Sequence, residues 1–161
     1  MSSPSDPPGH LLALASGLAD PAGRRETARA LARAVGAEDL LVFVSDPQLA
    51  VPLPAPGFPQ TLPQGRRWHE FLARCGEAAW RRGELPFPDA ATVRPVAGVA
   101  GPGGAILVLV GGTPRLADAE PLRLLLPLLA ATFAGEQAAR AAAGHAAMAE
   151  QTAARANALA R

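Results

Sequence analysis

Apolar residues change their spacing along this chain in a way that separates helices from strands. Leu11, Leu12, Leu14 and Leu18, with alanines between them, make a short helical run that stops near residues 17–20. Asp20-Pro21 then reads as the N-cap and first-turn proline of a second helix closed by Gly36. Inside it Ala28, Leu31, Ala32 and Val35 recur at three-and-four spacing, with Arg24, Arg25, Arg29 and Arg33 on the opposite face. Residues 40–44, Leu-Leu-Val-Phe-Val, are a continuous apolar run stopped by Ser45-Asp46-Pro47, which predicts a buried central strand. Residues 48–53 are its expected hairpin partner, confined to a sheet edge by Pro52, Pro54 and Pro56. A proline-rich loop over 54–64 leads to a helix expected from Arg67 to about Arg82, with Trp68, Phe71, Leu72, Cys75 and Ala79 on one face. Residues 85–89 read as a connector.

Two further strands, 92–100 and 105–110, flank Gly101-Pro102-Gly103-Gly104, the clearest hairpin signal in the chain. A long helix follows from Asp118, its expected N-cap, to Arg161. Leu122, Leu126, Leu129 and Phe133 form its apolar seam, and Pro127 interrupts it. Past about residue 140 apolar side chains larger than alanine are sparse, so the helix there is expected to need a partner helix to stay ordered. Strands joined by a tight hairpin are antiparallel, so the fold class is α+β, an antiparallel sheet flanked by helices. The expected organisation is a disordered 1–9, a domain over 10–135, and a helical linker over 136–161 that connects to something beyond the chain.

Composition removes several chemistries. All 15 basic residues are arginine, so this chain offers no phosphate-loop, Schiff-base or kinase lysine. A net charge of +1 with interspersed signs argues against a nucleic-acid surface. Cys75 is the single cysteine, which excludes an internal disulfide and fits a reducing, cytoplasmic location. The apolar run at 11–19 lacks a basic leader, and 124–131 is too short to span a membrane, so no membrane insertion is expected.

The candidate motifs are weak. Gly98–Gly104 looks like a phosphate cradle, but it joins strand to strand and reads as a turn. His69-Glu70 lacks a second histidine at position 73, and His10, His69 and His145 belong to different elements, so no metal is expected. Cys75 beside Arg74 could be a nucleophile of slightly lowered pKa, but reads better as a small buried hydrophobe. No catalytic residue and no cofactor are expected. Residues 68–94 gather Trp68, Phe71, Trp80, Phe87 and Arg94, either as the lining of a ligand pocket or as core capping the sheet.

The order of elements resembles a GAF domain, the sensory module of bacterial signalling proteins. The resemblance is carried by "AVGAEDLLVFVSD", "VRPVAGVAGPGGAILVLVGG" and "RLADAEPLRLLLPLLAATFAGEQAARA" and covers roughly residues 11–145. PAS and roadblock-like domains share parts of the pattern. The lysine and Asp-Glu pair of cyclic-nucleotide-binding members are absent, and Cys75 is not followed by the histidine of bilin-binding ones. The resemblance implies a non-enzymatic sensory domain at the front of a signalling protein such as a histidine kinase, with an unidentified small-molecule ligand or none. It implies a parallel homodimer in which Leu11, Leu14 and Leu18 pack beside Leu122, Leu126, Leu129 and Phe133, and an output domain downstream. The alternatives are a ligand-free dimerisation or docking module and, more remotely, a Cys75-centred enzyme acting on oxidised methionine.

Overall fold

The computed structural model describes residues 8–46, 48–77 and 79–160. Helix α1 (Pro8–Ser16) runs through a 3-10 turn (Gly17–Ala19) to α2 (Arg24–Ala34). Strands β1 (Asp39–Ser45) and β2 (Pro52–Pro54) follow, then α3 (Gly65–Arg74), β3 (Arg81–Pro86), β4 (Val93–Ala100), β5 (Ile106–Val110) and α4 (Glu120–Leu159). The five strands form one antiparallel sheet in the order β2-β1-β5-β4-β3, confirming the α+β class. β1 and β5 lie at its centre. All of β5 and all of β1 but Ser45 are buried, which explains their unbroken apolar sequences.

The two faces are covered by different helices. Helix α3 lies on one face, where glycines replace side chains. A Cβ on Gly98 would stand 2.8 Å from Cys75 Sγ and 2.9 Å from a Phe71 ring carbon, and one on Gly83 would meet the same ring. On the other face Leu126 of α4 crosses the sheet so closely that a Cβ on Gly101 would lie 2.8 Å from it. Helix α1 packs against both α2 and α4.

Several boundaries differ from the sequence reading. The helix expected over 67–82 ends at Arg74, and Arg81 and Arg82 begin the edge strand β3. That strand alternates only weakly; its order comes from pairing with β4, from Arg81 opposite Gly98 to Pro86 opposite Val93. The connector expected at 85–89 therefore starts inside a strand. Asp20 does not cap α2: its carboxylate accepts the Ala22 amide in a turn, and Gly23 occupies the cap position. Asp118 does not cap α4 either, because Arg115 takes its carboxylate at 2.7 Å, and Ala119 stands at the cap without a side-chain bond. Pro121 sits in the first turn as expected, and α4 continues through Pro127, whose side chain faces outward. The disorder expected for 1–9 falls mostly outside the described residues; Pro8 and Gly9 belong to α1.

The residues expected at the dimer seam meet one another within the chain. Leu11, Leu18, Leu122, Leu126, Leu129 and Phe133 are buried in the chain's own core, and Leu14 is partly buried against it. Within the chain α1 packs against α4, and these side chains belong to the shared core. The outward apolar residues of the two helices are Leu12, Leu124, Leu128, Met148 and Leu159. No helix among the described residues is long and apolar enough to cross a membrane.

Candidate functional site

The structure does not gather the aromatic residues of the 68–94 region around one cleft. Trp68 is 1% exposed and packs between Phe43 (ring centroids 5.9 Å) and Phe87 (6.2 Å), its indole N–H donating to the Pro86 carbonyl at 2.9 Å. Phe71 fills the hollow left by Gly83 and Gly98. Trp80 lies apart, donating to Glu120 at the start of α4 at 3.1 Å. Only Phe87 and Arg94 come together at a cleft.

That cleft has a volume of about 350 Å³ and opens between α2, the loop after β2 and the β3–β4 turn. Its charged groups are Arg25, Arg29 and Arg94 against Glu38 and Asp39. Arg25 forks onto Asp39 through two bonds of 3.1 and 2.9 Å, and Asp39 also accepts the Leu40 amide. Arg94 pairs with Glu38 across the mouth. Arg29, half exposed, stands 4.0 Å from Asp39. Phe87, Pro88, Pro59 and Val110 supply apolar walls. Sequence reasoning put Arg25 and Arg29 on a solvated helix face and overlooked Glu38-Asp39. The available signal was a pair of arginines at i,i+4 together with an acidic pair just before a buried strand.

A second charged constellation is built on the adjacent residue of α2. Arg24 was assigned to the same solvated face, yet it is 0% exposed. It donates to the carbonyls of Leu18 and Pro56, both at 2.7 Å, and forks onto Glu136 of α4 at 2.9 and 2.5 Å. Its guanidinium also sits 4.6 Å above the Phe133 ring. The hydrogen bond from Arg24 holds the Glu136 carboxyl below its usual 4.5, outweighing partial burial. Arg140 stands one turn further along α4, but the Glu136 bonds go to Arg24.

Cys75 stands at the C-cap of α3 with its thiol packed toward the sheet beside Phe71, 3.5 Å from the Phe71 carbonyl. Burial pushes the thiol up to about 11 from 9.0, and the nearby cation opposing this is Arg81, not Arg74. A two-unit rise cuts the thiolate fraction about 100-fold at about pH 8. Iodoacetamide is therefore expected to alkylate the folded chain about 100-fold more slowly than the urea-unfolded chain; equal rates would refute the burial argument. His10, His69 and His145 are all exposed, and no group of three potential metal ligands exists among the described residues. Gly101–Gly104 forms the β4–β5 turn, closed by Gly101 N–H to the Ala105 carbonyl at 2.7 Å. Compared with family models, with curated proteins and with solved structures, the chain finds no match.

Proposed function

We propose that this chain is a non-enzymatic sensory or regulatory module that pairs with a second copy along α4 and signals by shifting that helix. The observation that carries the reading is the division of α4. Its inward residues are buried up to Phe133, whereas every residue from Ala138 to Leu159 is exposed. That exposed part continues for roughly 30 Å at about 1.5 Å per residue. A long helix of alanine with so little packing gains most from a second helix. Its outward side supplies a seam: Leu124 (74% exposed), Leu128 (65%), Ala131, Ala138, Ala142 and Ala149 fall on one four-and-three register whose intervening places are Gly135 and His145. No Asp, Glu or Arg interrupts that register up to Leu159. The resemblance to GAF domains adds the rest of the proposal: a cytoplasmic signalling protein of the sensor-kinase type, with α4 leading to its output domain.

The test is disulfide trapping in a Cys75→Ser background. Ala142→Cys and Ala149→Cys are expected to cross-link between copies on mild oxidation, whereas Arg140→Cys and Gln151→Cys, on the far side of the helix, are not. A chain that sediments as a monomer and cross-links at neither seam position would defeat the proposal. A second reading, a ligand-free dimerisation scaffold, is favoured by one observation. Trp68, Phe71 and Phe87 fill the space over the sheet where an internal ligand would sit.

A further inference from the structure

We propose that the arginine-lined cleft is a binding site for a small organic oxyanion with an apolar body, held by Arg29 and Arg94. Asp39 is satisfied by two N–H groups of Arg25 and by the Leu40 amide, so it needs nothing more from Arg29. Arg29 makes no hydrogen bond among the described residues, is 52% exposed, and lies on the cleft wall. Arg94 is held at the mouth by Glu38, whose side chain is half exposed. The cleft thus has three guanidinium groups to two carboxylates, and Arg29 shares Asp39 with Arg25 only through a 4.0 Å ion-pair contact. A planar guanidinium matches a carboxylate or a phosphate fork to fork. The Phe87, Pro88, Pro59 and Val110 walls suit an aryl or short aliphatic body, and a volume of about 350 Å³ limits its size.

The same cleft abuts the contacts that hold α4. Arg25 lies 5.8 Å from the Phe58 ring, which meets Phe133 of α4 edge-on at 6.3 Å. Pro59 and Thr61, on the same loop as Phe58, line the cleft. The neighbouring Arg24 grips Glu136. An anion that draws Arg25 or Arg29 toward itself pulls on α2 and on the Phe58 loop, the two elements clamping Phe133. The coupling deepens the sensory reading and rests on it; the binding site stands by itself.

Benzoate and phenyl phosphate are the probes, followed by calorimetry and by the side-chain N–H signals of the arginines. Saturable binding is expected, with shifts at Arg29 and Arg94, and the tighter probe identifies carboxylate or phosphate as the headgroup. Arg29→Gln is expected to weaken binding at least about tenfold, as for loss of one charge-assisted fork. Arg33→Gln, an exposed arginine one turn along α2, is expected to leave it unchanged. Absence of saturation by either probe up to about 10 mM overturns the site. Equal weakening by both variants also overturns it, by showing a diffuse charge effect. In the Ala142→Cys, Cys75→Ser chain, saturating probe is expected to change the rate of cross-linking. Binding with an unchanged rate overturns the coupling alone, and absence of cross-linking with binding intact defeats the dimeric reading and not the site.

Discussion

Replacing Arg24 by alanine is expected to lower folding stability by about 3–4 kcal/mol, a fall of about 10 °C in melting temperature. The guanidinium is fully buried, and its removal strands the Leu18 and Pro56 carbonyls, leaves Glu136 unpaired and opens a void beneath Phe133. The figure sits at the low end for a broken buried pair because the Glu136 side chain is 22% exposed and can recover some water. Arg24→Lys keeps the charge but cannot fork, and should cost about 1–3 kcal/mol. The pair also sets a pH dependence. Glu136 has a folded value below its unfolded one, so its stabilisation is complete above about pH 4.5 and is lost as pH falls through that value toward the folded one. Urea titrations across that window should show a steeper acid loss in the parent chain than in Arg24→Ala. Parallel pH profiles, or a loss below about 1 kcal/mol, would contradict the anchoring role.

Trp68→Ala is the second large effect, about 4–5 kcal/mol. The indole is almost wholly buried between two aromatic rings, and its removal leaves a large cavity and an unpaired Pro86 carbonyl. Trp68→Phe fills most of the space and loses mainly the hydrogen bond, so about 1–2 kcal/mol is expected. This pair of variants distinguishes core from pocket: a tryptophan lining a site could be truncated with little change in stability. Chemical denaturation is the measurement, and an alanine variant within about 1 kcal/mol of the parent would return Trp68 to the candidate ligand residues.

The central strands, the β4–β5 hairpin and the long helix were legible because each is written locally. An unbroken apolar run, a glycine-proline turn and a leucine seam need no distant partner to be recognised. β3 was not, since Arg81-Arg82-Gly83-Glu84 becomes a strand only beside β4. The cleft was half visible: Phe87 and Arg94 were picked out as aromatic and cationic neighbours in sequence, but Arg25, Arg29 and Asp39 join them only through the crossing of α2 over β1. Arg24 was read by residue type, and residue type misled. Four arginines on one helix face look solvated, but the first of them points to a part-buried acid 112 positions away, a separation no helical periodicity encodes.

Where the globular part ends follows from that same guanidinium. A boundary drawn after Gly135, at the start of the exposed helix, would remove the carboxylate that neutralises Arg24 and leave a cation inside the protein. Glu136 therefore belongs to the folded unit although it looks like the first residue of a linker. A graft that moves this module onto a foreign helix has its natural splice point two residues later, past Gln137, where exposure becomes continuous and the register can be carried across without touching the core.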